Sequence, residues 1–226
     1  MPNAPTQPPD NPSTADAPPP VPSRNALPGV RLRDAAHVWS WFRIDVPARV
    51  LPLTAVPLIW ALARGGGVHS VGLSADFALW AWLPLVPLAV IVALVSAEFV
   101  RRQGAVGSRA TPGALALELS FFLVLNPVAE ELFFRGLAQG RLAEYIGFLP
   151  ALLIVATVFG FHHALAGFQR PFLLLATVGG LLFGTTLFIY GSVLPAIALH
   201  IAADIGIFLV GPWWSARTRR ATAKPA

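Results

Sequence analysis

Six apolar stretches dominate the chain, at about 46–63, 77–98, 114–134, 148–165, 171–190 and 193–211. Each is close to the roughly 20 residues that a helix needs to cross a bilayer. Inside hydrocarbon every backbone N–H and C=O has to be satisfied within its own segment, so a run of this kind folds as a helix. The expected fold is all-α, a polytopic membrane helix bundle of about six transmembrane helices. Only 12% of the residues are charged and 55% are hydrophobic, with a mean hydropathy of +0.65. A soluble domain averages about 25% charged.

The net charge of +5 and the pI near 11.0 do not mark a nucleic-acid binder. The cations are nearly all arginines beside the apolar runs, which is a topology signal. Arg31 to Arg49 precede or open the first span, Arg101, Arg102 and Arg109 follow the second, Arg170 the fourth, and Arg217, Arg219, Arg220 and Lys224 the sixth. The positive-inside rule then puts both termini in the cytoplasm. Arg135 and Arg141 fall on the wrong side, which counts against the end drawn for the third span. Residues 1–28 hold ten of the 22 prolines, with neither the basic start nor the apolar core of a signal peptide. They read as a disordered Pro-rich tail. The expected organisation is that tail, a basic interfacial segment over 29–45 carrying Trp39, Trp41 and Phe42, a bundle over 46–211, and a basic tail over 212–226. The absence of cysteine excludes disulfides, a thiol nucleophile and Cys-ligated metal.

Against this apolar background the stretch Asn126-Pro127-Val128-Ala129-Glu130-Glu131-Leu132-Phe133-Phe134-Arg135-Gly136 stands out. Ionisable groups inside a membrane are costly and by default mark function. Glu131 and Arg135, four apart, share a helix face and can pair. Glu130 points about 100° away, which leaves it for a partner on another helix. The plainer alternative is an ion pair that only fixes helix packing. Pro127 lacks an N–H and is expected to kink the third helix, which would set the acidic segment apart as a half-helix. Two further spans carry polar groups. The fourth ends in Phe159-Gly160-Phe161-His162-His163, where adjacent rings diverge and one is expected to face the site. In the sixth, His200 and Asp204 are four apart on one face. Gly180-Leu-Leu-Phe-Gly184 offers a small-residue face for close packing.

Convergence of Glu, His and His/Asp from three spans implies one interior polar cavity. A carboxylate beside a histidine can activate water, and a second histidine can stabilise an oxyanion. The same side chains could hold zinc with an open position for water. The competing class is ion-coupled transport through an intramembrane relay. No internal repeat and no His-Glu-x-x-His motif is present. Gly72-Leu73-Ser74-Ala75 has no matching downstream Ser–His arrangement.

These residues resemble the CPBP family of intramembrane proteases (CAAX protease and bacteriocin-processing, Rce1-like or Abi). Its pattern Glu-Glu-x-x-x-Arg, Phe-x-x-x-His, His-x-x-x-Asn reads here as Glu130-Glu131-x-x-x-Arg135, Phe159-x-x-x-His163 and His200-x-x-x-Asp204, within a core over 114–211. The resemblance implies an endopeptidase cutting near the C-terminus of a membrane-held protein or peptide. It makes Glu130 and His163 the water-activating pair, Glu131 with Arg135 a structural ion pair, and His200 with residue 204 the oxyanion side. Asp204 departs from the usual Asn, and a carboxylate donates a hydrogen bond only when protonated, so it could instead orient His200. The family is described both as metalloprotease and as glutamic-type. If zinc is bound, Glu130, His163 and His200 are its candidate ligands, and the favoured mechanism requires none. A catalytically silent member acting in immunity or scaffolding is the alternative within the family. The Ala-, Arg- and Pro-rich composition points to a bacterial inner membrane, and no nucleic-acid partner is expected.

Overall fold

The computed structural model describes residues 35–75, 79–103 and 111–222. The Pro-rich tail, Arg109 and Lys224 lie outside the described residues. All regular structure among the described residues is helical. Six helices are long and apolar enough to cross a membrane: Val38–Ala63, Leu79–Arg102, Pro112–Ile146, Phe148–Leu165, Arg170–Tyr190 and Leu194–Thr218. Their outer faces expose large apolar side chains, among them Ile59 and Leu62 on the first, Val86 and Val90 on the second, and Leu174 on the fifth. In water such faces would mark docking surfaces. On helices of this length they are faces for lipid.

Three boundaries differ from the sequence expectation. The helix carrying the first span begins at Ala35, so Trp39, Trp41 and Phe42 belong to it rather than to a separate interfacial segment. Trp41 packs inward on Phe121 and Phe122, with ring centroids 4.2 and 5.6 Å away. The helix carrying the sixth span runs on to Thr222, through most of what reads as a basic tail. The third span does not end near 134 but continues to Ile146. Its polar second half is accommodated by the fifth span: Gln139 donates to the Gly184 carbonyl at 2.9 Å. A Cβ at Gly184 would collide with the Gln139 side chain, so the small-residue face is the groove that admits it.

Pro127 does not separate a half-helix. The third span passes through it by changing helical pitch, with π-helical turns over Phe121–Leu125 and Leu132–Gln139 on either side of Asn126–Glu131. Wider i→i+5 turns absorb the missing donor without breaking the rod, and such turns gather at functional sites. Two more occur among the described residues, at Val46–Val50 in the first span and Ile205–Val210 in the sixth. The third and fourth spans are joined by Gly147 alone, at φ +83°, a conformation that favours glycine.

Candidate active site

The hairpin at Gly147 sets the depth of the polar groups. At 1.5 Å per residue, Glu130 lies about 24 Å back from Ile146 and His162 about 21 Å on from Phe148. Because the third span is longer than the hydropathy implies, the acidic segment and the histidine pair are level.

Glu130, Glu131, Arg135, His200 and Asp204 are all buried. A cavity of about 500 Å³ opens beside them, with Asn126, Glu130, His162, His163, His200 and Asp204 on its polar wall. Aromatic rings, including Trp41, Phe122 and Phe208, form much of the remaining wall, together with Asp45 and Arg49 of the first span. Three buried side-chain oxygens on this wall have no hydrogen-bond partner: Asn126 Oδ1, Glu130 Oε2 and Asp204 Oδ2. Leaving such atoms unpaired is costly unless a ligand, substrate or water serves them.

The two glutamates are divided as the helix geometry requires. Glu131 is fully buried, with Oε2 3.1 Å from Arg135 Nε. The Arg135 guanidinium is itself fully buried, stacked 4.1 Å above the Phe159 ring with Phe183 at 5.6 Å. The other Glu131 oxygen accepts from His200 Nδ1 at 2.8 Å. Glu131 is therefore the group that orients His200, and Asp204 does not hold that nitrogen. His200 Nε2 is turned to the cavity, 3.8 Å from both Glu130 Oε2 and Asp204 Oδ2. Phe183 lies nearly parallel to the His200 ring at 5.4 Å and keeps it in that plane.

Both histidines of the fourth span reach the cavity, where one was expected. His162 Nε2 lies 3.7 Å from Glu130 Oε1. His163 donates from Nδ1 to its own helix at the Phe159 carbonyl, 2.8 Å away. A carbonyl only accepts, so that bond fixes the tautomer and leaves His163 Nε2 with its lone pair. Sequence reasoning passed over a further residue, Arg49. Bonded to Asp45 through Nε and Nη2 at 3.1 and 2.8 Å, it donates from Nη1 to Glu130 Oε1.

Among the described residues, no three His, Cys, Asp or Glu side chains are arranged to hold a metal ion. Of the candidate zinc ligands Glu130, His163 and His200, Glu130 has one oxygen bonded to the Arg49 guanidinium and the other without a hydrogen-bond partner.

The family model described as type II CAAX prenyl endopeptidase Rce1-like matches residues 112–206. No curated protein and no solved structure matches the chain. The matched residues contain all three motifs, so the third to fifth spans and the first part of the sixth span of this integral membrane protein are similar to an Rce1-like domain, consistent with the CPBP pattern.

Proposed function

We propose that the chain is an intramembrane endopeptidase that hydrolyses a peptide bond near the C-terminus of a membrane-held substrate. The observation that carries this reading is Glu130 Oε2, a buried carboxylate oxygen without a hydrogen-bond partner on the wall of a cavity shared with three histidines. A water held between this oxygen and the scissile carbonyl gives its proton to Glu130 as its oxygen attacks the carbonyl carbon. His163 Nε2, fixed as an acceptor, orients the second hydrogen of the same water. His200, donating Nδ1–H to Glu131, offers Nε2–H to the developing oxyanion in its imidazolium form. The C–N bond then breaks, and the proton on Glu130 passes to the leaving amine. No step is routed through a metal. The distribution of arginines supports a topology with both termini cytoplasmic.

The test uses Glu130→Gln, which keeps shape and removes the base. Membrane proteins from cells expressing either form are compared by mass spectrometry of their C-terminal peptides. Shortened C-termini should be present with the unaltered protein and fall by at least about 10²-fold with the variant, the usual scale for losing a general base, at equal protein yield. Identical C-termini in both would overturn the endopeptidase reading and leave the silent or transport alternatives.

A further inference from the structure

The first span lies outside residues 112–206, yet it places a permanent cation in the site. Of the residues lining the large cavity, Arg49 is the one arginine or lysine, a side chain that stays protonated at any ordinary pH. Its side chain is held from three directions. Asp45, one turn earlier on the same helix, accepts from Nε and Nη2 in a two-pronged bond. Phe121 lies beneath the guanidinium, 5.7 Å from its carbon. The third nitrogen, Nη1, then has one direction left, and it meets Glu130 Oε1. Arg49 also sits inside the π-helical turn Val46–Val50. That wider turn changes the rotation of the helix at this level, and such turns recur at functional sites.

From this geometry we infer that Arg49, braced by Asp45, is a positioning residue for the reaction proposed above. It holds one oxygen of Glu130 so that the other is directed at the water. The charged and titratable groups around Glu130 are Arg49 and, behind it, Asp45 from the first span, Glu131 from its own helix, His162 and His163 from the fourth, and His200 and Asp204 from the sixth. Arg49 is the one that bonds directly to it among the described residues. A second role for a cavity arginine would be to receive the substrate's C-terminal carboxylate. The contact itself argues against that: with Nη1 on Glu130, a carboxylate bound there would lie beside the water-activating group, leaving no room for residues between the scissile bond and the chain end. A rigid arginine fork is suited to fixing a carboxylate by geometry. Lysine in its place keeps the charge and loses the brace.

The inference rests on the peptidase reading for its consequence but not for its test. Infrared difference spectra are taken on protein in lipid vesicles without substrate. The unaltered protein minus Glu130→Gln isolates the carboxylate bands of Glu130, and the same subtraction is made in Arg49→Gln, Arg49→Lys and Asp45→Asn backgrounds. A carboxylate bound at one oxygen has widely split stretching bands. The splitting should narrow in Arg49→Gln, narrow less in Asp45→Asn, and be partly restored in Arg49→Lys. Bands that coincide with the unaltered protein in all three would overturn the inference, whether or not any peptide is cut. On a quenched fluorescent peptide carrying a farnesylated cysteine, Arg49→Gln should lower kcat by about 10- to 100-fold, the scale of a misplaced catalytic group, with KM within twofold. A rise in KM at unchanged kcat would overturn it in favour of substrate binding. Failure of every form to cut would count against the reading above, with the infrared result still deciding Arg49.

Discussion

At the scale of single residues, Glu131 does more than its pairing with Arg135 suggests. It joins a fully buried guanidinium on one oxygen to His200 on the other. Either member removed alone leaves the other as an unpaired buried charge, at a cost of roughly 3–5 kcal/mol. Glu131→Ala and Arg135→Ala should therefore both lower the yield of folded protein in detergent, and Glu131→Ala should also free the His200 ring. Normal yield for both singles would remove the ion pair from the account of stability. Asp204 is different, because its Oδ2 faces the cavity without a hydrogen-bond partner. Asp204→Asn introduces the residue usual in the CPBP pattern and supplies an N–H donor beside His200 Nε2. Cleavage should hold or rise, and chelators should leave it unchanged. Loss of cleavage in this variant, together with zinc-dependent recovery after chelation, would instead favour a metal mechanism in which Asp204 supports a histidine ligand.

At the scale of elements, the helices owe their arrangement to close approach as much as to apolar burial. Gly180 faces Ala156 of the fourth span and Arg135 of the third, and Gly184 faces Leu152 and Gln139 of the same two helices. A side chain at Gly184 would displace Gln139 from the carbonyl it bonds. Gly184→Val should lower the melting temperature in detergent, on the scale of about 1–3 kcal/mol for overpacking. Gly179→Ala, whose added carbon meets only the Phe183 ring at ordinary contact distance, should leave it nearly unchanged. Equal melting for both would mean that the groove does not constrain the third span. The same packing explains which parts of the fold could be read in advance. Six apolar runs and three polar clusters were legible because hydrocarbon tolerates so few polar residues. The extension of the third span to Ile146 was not, because Arg135, Gln139 and Arg141 look like an exit from the membrane until the glycines opposite them are known. Arg49 was hidden for a related reason: in sequence it is one more basic residue flanking a span. The choice between His162 and His163 turns on which ring nitrogen meets which oxygen, and two adjacent identical residues carry no signal of that.

At the scale of the whole molecule, the helix order fixes which ends lie together. The start of the first span, the connection between the fourth and fifth, and the end of the sixth share one side if each helix crosses. Arg101 and Arg102 close the second span on that side, Arg170 opens the fifth and Arg217 lies near the end of the sixth. Arg141 lies toward the other end, over the Trp60 ring at 4.4 Å and paired with Glu144. Positive-inside counting weighs Lys and Arg rather than net charge, so neither that pair nor the Glu98 contacts of Arg101 and Arg102 cancel the bias. Because the chain has no cysteine, single introduced cysteines report sidedness without background. Tyr145 is highly exposed beside the Gly147 turn, and Arg217 is exposed near the opposite end. In bacterial spheroplasts, Tyr145→Cys should react with an impermeant maleimide in intact membranes and Arg217→Cys only after permeabilisation. The reverse pattern would invert the topology. It would also move the site's entrance, because Leu165 and Ala166, at the connection between the fourth and fifth spans, line the cavity that Glu130 faces. With the termini inside, that cavity is approached from the cytoplasmic side, and the substrates proposed above would be membrane proteins whose C-terminal segments lie there.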